Sequence, residues 1–244
     1  MNPRKARIID RSERRKHLEE RLRILHTRAI AIEDSLKSLE DNRYYRVCIF
    51  GSARIKQEDQ EYQEVYELAR MLAWDGMDIL TGGGPGLMEA ANKGVKHGQE
   101  EKKSRSLSFG LGIKLPWEQD LNSHVDIKHH HLRFSSRLDQ FMQLSHSVVC
   151  TPGGIGTLLE VFFTLQLIQV GHITKRPVVL MDASYWEGMM DWIKAVPLKR
   201  GLISAKDLDG ILIADTPAEV YEIISKHHKE FVAERQKQSS KKIE

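Results

Sequence analysis

The chain has 244 residues, of which 41% are apolar, 29% charged and 7% aromatic. That balance excludes a disordered or collagen-like polymer and leads us to expect one large domain, or two small ones. No eighteen-residue apolar run occurs, and the basic start MNPRKARIIDRSERRKH lacks the apolar core of a secretory signal, so we expect no membrane partner and a cytoplasmic location.

The net charge of +3 is unevenly spread: residues 1–43 carry +4, residues 226–244 carry +3, and the stretch between them carries −4. A basic periphery offers contacts to phosphate. Here the basic residues are interleaved with acids and have few aromatics beside them, which describes a solvated helical surface better than a nucleic-acid partner. Cys48 and Cys150 lie in apolar runs and read as buried, reduced thiols.

In chain order, the first expected element is a helix over roughly 12–40. Leu18, Leu22, Leu25, Ala29, Ile32, Leu36 and Leu39 alternate spacings of four and three, a heptad-like apolar seam. Such a seam packs on the main domain or pairs with another subunit, and Ala29 at its centre argues against a free-standing coiled coil. From Arg46 the pattern changes to short β-branched runs at 46–50, 77–80, 106–112, 147–150, 177–181 and 210–214. Helices are expected near 58–75, 85–98, 131–145, 155–170, 184–196 and 216–232. Apolar strands separated by helices predict a doubly wound α/β domain whose parallel sheet is covered on both faces. The expected organisation is a basic helical extension (1–43), a doubly wound α/β domain (44–232) and a frayed basic tail (233–244).

Ligands of such sheets bind outside the carboxyl ends of the strands, and three of those ends carry glycine clusters. The first is Gly51-Ser52-Ala53-Arg54. The second runs Thr81-Gly82-Gly83-Gly84-Pro85-Gly86-Leu87-Met88-Glu89. The third runs Thr151-Pro152-Gly153-Gly154-Ile155-Gly156-Thr157 and on to Glu160. Glycine lets the backbone approach a ligand, and each cluster is expected to precede a helix whose free N–H groups attract an anion. A dinucleotide site needs G-x-G-x-x-G followed by an acid, and a P-loop needs G-x-x-x-x-G-K-[ST]; neither pattern is present.

Together the clusters resemble the LOG (Lonely Guy) family, also labelled "possible lysine decarboxylase", over residues 46–232. Its PGGxGTxxE motif is matched by Pro152, Gly153, Gly154, Gly156, Thr157 and Glu160. The segments GGGPGLMEAANKG (82–94) and IKLPWEQ (113–119) also look like that family, and Arg137 fills the position of its arginine, fifteen residues before Pro152. The resemblance implies a Rossmann-like fold, a homodimer, and hydrolysis of the N-glycosidic bond of a nucleoside 5′-monophosphate such as AMP or a cytokinin riboside monophosphate. The products are free base and ribose 5-phosphate.

Arg137 and Glu160 are then the catalytic candidates. Gly51, Ser52, Gly82, Gly83, Gly84, Gly86, Met88, Gly153, Gly154, Gly156 and Thr157 are the phosphate- and nucleotide-binding candidates. Glu160 lies six residues beyond Gly154, about 9 Å along a helix axis, and its side chain leans back toward the N-terminus. A ribose spans that distance, bringing the carboxylate near the anomeric carbon, where it can stabilise oxocarbenium charge, position water or take its proton. Arg137 is placed to orient Glu160 or contact the ribose phosphate. Met88 and the Trp117 region are candidates for touching the base, with packing as the competing role.

The chain departs from the family at Leu138, where lysine is common, and at Leu159, where a second glutamate is frequent. Those departures favour an alternative, a nucleotide-binding regulatory protein with weak catalysis; the intact Arg137 and Glu160 oppose it. No metal is called for. His129, His130 and His131, read as a helix start, point in different directions and have no cysteine or acid cluster beside them. No cofactor is called for either, because no lysine sits in a setting that suits a pyridoxal phosphate Schiff base.

Overall fold

The computed structural model describes residues 11–40, 44–114 and 120–241, with side chains described for 13–30, 44–114 and 120–237. The chain divides into two compact units between Arg43 and Tyr44. The first contains helix α1, Arg11–Glu40. On it Leu18, Leu22 and Leu25 are each more than half exposed, and Arg15–Glu19 and Arg23–Glu20 pair at 2.8 and 3.0 Å along the helix surface. The side chains of Ile32, Leu36 and Leu39 lie outside the described residues.

The second unit is built on one parallel sheet of seven strands: β1 (Arg46–Phe50), β2 (Asp78–Thr81), β3 (Ser108–Ile113), β4 (Ile127–His131), β5 (Ser147–Cys150), β6 (Val178–Met181) and β7 (Ile211–Ala214). Their spatial order is β4-β3-β2-β1-β5-β6-β7. Alternate side chains of a strand face opposite ways, and here both directions are apolar. Val47, Ile49, Ile79, Val149 and Val179 join a core with α2 (Gln60–Trp74), α3 (Leu87–Lys102) and α7 (Pro217–Lys241). Cys48, Phe50, Leu80, Val148, Cys150 and Leu180 join a second core with α4 (Phe134–Leu144), α5 (Ile155–Gln169) and α6 (Ala183–Ile193). Burial pushes the thiols of Cys48 and Cys150 well up, leaving them protonated.

Three details differ from the expectations set by the sequence. The segment around the histidine triplet is strand β4 rather than a helix start, paired along its length with β3. Its sequence IKHHH carries no apolar alternation because it is an edge strand, mostly exposed. His131 is its buried member, held by Gln140 and by Ser136 at 3.1 Å. Helix α7 continues to Lys241, past the point where a frayed tail was expected. Helix α2, Gln60–Trp74, falls where it was expected, but the Gly51–Arg54 cluster leads into a loop and does not itself form the start of that helix.

Candidate functional site

The chain builds the sheet from β1 through β2 and β3 to β4, then returns to lay β5 on the other side of β1. The β1/β5 boundary is therefore a topological switch point, where the loops leaving the strands diverge and open a crevice. The three glycine turns meet there. The backbone N–H and the hydroxyl of Thr151 both donate to the Phe50 carbonyl at 2.9 Å. The Ser52 N–H donates to the Pro152 carbonyl at 3.1 Å, and the Ser52 carbonyl accepts the first N–H of α3, from Leu87, at 2.9 Å. Gly86 sits at φ +68°, and a Cβ there would collide with that Ser52 carbonyl. The position demands glycine on both counts.

The tertiary structure brings Arg137 and Glu160 together at this crevice. Arg137, on α4, passes below the β2–α3 turn, so that a side chain at Gly82 would strike its guanidinium or the sulfur of Met88. Its Nε donates to the Leu111 carbonyl at 2.7 Å, and its Nη2 stands 3.8 Å from Glu160 Oε1. The two side chains are only 14% and 13% exposed. Burial dominates the electrostatics: it pushes the Glu160 carboxyl up to about 7, with the Arg137 charge pulling the other way. Burial also lowers the Arg137 guanidinium, which nonetheless stays cationic. A carboxyl that titrates near neutrality can act as an acid in one step and as a base in the next.

The remaining candidates separate by environment. Gly154 caps α5 with no side-chain hydrogen bond, and a Cβ on Gly154 or Gly156 would meet nothing within 4 Å. Neither residue has positive φ, so neither packing nor backbone conformation within the described residues requires glycine there. Gly153 differs, because a Cβ would collide with the buried Thr157 side chain beneath it. Ser52 Oγ accepts the Arg54 N–H at 3.1 Å in a local turn. Met88 is packed along Gly82 and Gly84. Leu138 is on the buried face of α4 while Leu159 is about half exposed on α5. Trp117 and the rest of 115–119 lie outside the described residues.

Sequence reasoning missed several groups. A chain of polar side chains, the buried Thr81, Asn92 and Ser108 with the half-buried Asn122, fastens the β2–α3 turn. Tyr185 donates its hydroxyl to the Gly153 carbonyl. Asn92 lies inside the glycine-rich segment and was within reach of that reading, but nothing local marks Asn122 or Tyr185.

The profile of the family described as "Possible lysine decarboxylase" matches residues 88–224, and the chain belongs to this family, the LOG family. Among curated proteins, the chain is 27% identical over 113 residues to a pyrimidine/purine nucleotide 5′-monophosphate nucleosidase of Escherichia coli (strain K12). That match covers 45% of this chain but only 25% of the relative. A "Probable cytokinin riboside 5′-monophosphate phosphoribohydrolase" of Oryza sativa subsp. japonica is 28% identical over 192 residues, covering 76% of this chain and 72% of the relative. Among solved structures, the molybdenum cofactor binding protein from the phototrophic bacterium Rippkaea orientalis has the same fold. Its TM-score is 0.55 at 23% identity, over 76% of this chain and 98% of that one.

Proposed function

We propose that the protein hydrolyses the N-glycosidic bond of nucleoside 5′-monophosphates, releasing the base and ribose 5-phosphate. The observation that carries this reading is the Arg137–Glu160 pair, buried where three glycine turns meet, with its carboxyl poised at about 7. The phosphate lies at the start of α5, whose first N–H groups have no side-chain cap and whose Gly154 and Gly156 leave open space. The ribose extends from there toward Glu160. Ionised Glu160 stabilises positive charge developing at the anomeric carbon and takes a proton from the attacking water. The C1′–N bond breaks and its electron pair leaves with the base; the water oxygen, keeping one hydrogen, remains on C1′, and the proton taken by Glu160 passes to the base, restoring the carboxylate. Arg137, fixed by the Leu111 carbonyl, holds the carboxylate in place and favours its ionised form. The names of the bacterial and plant relatives support the same reaction class.

Incubating the purified protein with AMP and following adenine by chromatography tests the reading, and a panel including prenylated AMP identifies the preferred base. Tight AMP binding without base release would replace this reading by that of a nucleotide-binding regulatory protein. A homodimer belongs to the same proposal, and sedimentation as a monomer at micromolar concentration would remove that part.

A further inference from the structure

The β2–α3 turn carries Gly82, Gly83 and Gly84, and its polar groups are tied into a side-chain network. Asn122, in the segment leading into β4, donates its side-chain amide to the carbonyls of Gly83 and Gly84 at 3.1 and 3.0 Å and to Asn92 Oδ1 at 2.9 Å. Its own backbone N–H also donates to the Gly83 carbonyl, at 2.8 Å, and its Oδ1 accepts the His124 N–H at 3.1 Å. Asn92 Oδ1 accepts the Thr81 hydroxyl at 2.9 Å, and Asn92 Nδ2 donates to Ser108 Oγ at 2.8 Å. Thr81 Oγ1 in turn accepts the Gly83 N–H at 2.9 Å. Thr81, Asn92 and Ser108 are fully buried, so the bonds among them satisfy polar groups that water does not reach.

The arrangement has a direction. Two carbonyls of the turn are engaged by Asn122 and are not free to turn elsewhere. The described peptide bonds are all trans, so turning the Gly83 carbonyl toward Asn122 points the Gly84 N–H the opposite way. Carbonyl oxygens facing the crevice would repel an anion, and amide hydrogens attract one. The network also sets the surface on which Arg137 and Met88 lie, since both pack against Gly82. Leu121, next to Asn122, packs close against the turn: Gly83 is at φ +70°, and a Cβ there would stand 2.6 Å from Leu121 Cδ2.

We infer that Asn122, acting through Asn92 and Thr81, is a positioning residue that keeps carbonyl oxygens out of the substrate crevice and so adapts it to an anionic, phosphate-bearing ligand. The inference rests on the nucleotide hydrolase reading above. Asn122 itself touches no reacting atom. Removing its side chain frees the Gly84 carbonyl and leaves the Gly83 carbonyl held only by the backbone N–H of residue 122; a carbonyl turned to the phosphate repels it in ground state and transition state alike, so binding suffers more than chemistry.

The test uses the full chain, with Asn122→Ala and Thr81→Val reaching the same turn from opposite sides. For Asn122→Ala, KM for AMP and the Kd of ribose 5-phosphate are expected to rise about 10- to 100-fold, with kcat within about threefold of wild type. The preference for AMP over adenosine is expected to fall by a similar factor. Thr81→Val moves the same quantities in the same direction and decides the matter should Asn122→Ala not fold. A lower melting temperature with wild-type Kd and wild-type AMP preference in the variants would overturn the inference and leave the hydrolase reading standing. A wild-type protein that neither binds ribose 5-phosphate nor releases base would remove both.

Discussion

Replacing Glu160 with glutamine keeps the size of the side chain and removes its charge. In the folded protein the carboxyl titrates at about 7 against an ordinary value of 4.5. A raised acid binds its proton more tightly folded than unfolded, so its contribution to stability is fully present below pH 4.5 and is lost as pH rises through 7. At 1.36 kcal/mol per pH unit the loss is on the order of 3 kcal/mol. Glutamine does not titrate, so the variant escapes that loss.

About 2.5 kcal/mol of that loss falls between pH 5 and pH 8.5, so the difference in melting temperature, variant minus wild type, should grow by roughly 5–10 °C over that range, at about 2–4 °C per kcal/mol for a domain of this size. Any fixed cost of leaving Arg137 without its partner cancels from that difference. In the same variant kcat for AMP should fall about 10²–10⁴-fold, the scale of a lost acid–base group, while Kd changes less than about tenfold. Calorimetry across pH and a base-release assay read the two effects. Parallel melting curves would refute the buried, destabilised carboxyl, and retained turnover would refute its part in the chemistry.

Arg137→Ala removes the cation that holds the Glu160 carboxyl down; the acid limb of the kcat/KM profile, expected near pH 7 in wild type, should move to higher pH, and an unmoved limb would show that another group titrates. Gly86→Ala forces a Cβ into the Ser52 carbonyl at φ +68° and should cost about 2–4 kcal/mol by thermal melting; a wild-type melting temperature would contradict the close approach of the first two glycine turns. His146 is held near 3 by burial and by the charges of Arg46, Arg176 and Arg235, and its Nδ1 accepts the Arg46 N–H at 3.0 Å. The depressed value makes its contribution present above pH 6.5 and lost as pH falls toward 3, so wild-type stability should drop by a few kcal/mol over that range, and His146→Asn should flatten the drop.

Much of this protein is written locally. Strands such as SVVC and PVVLM are apolar on both faces because helices cover both, which declares a parallel sheet without reference to partners. The glycine turns and the motif ending in Glu160 are contiguous, so their placement at strand ends followed from the strands themselves. The edge strand Ile127–His131 was illegible for the converse reason: a half-exposed edge has no apolar alternation to display, and only its hydrogen bonds to β3 make it a strand.

The sequence determined which residues are candidates; the fold decided their state. Arg137 and Glu160 are 23 positions apart, and only the return of the chain to β1 sets them 3.8 Å apart under a common roof. The carboxyl's rise to about 7 is a property of burial, which no local pattern encodes because the covering atoms come from other elements. Asn122 shows the same limit. It is an ordinary residue in an ordinary stretch of sequence, and it acquires its role from the carbonyls that β2, lying beside β3, brings within reach of its amide.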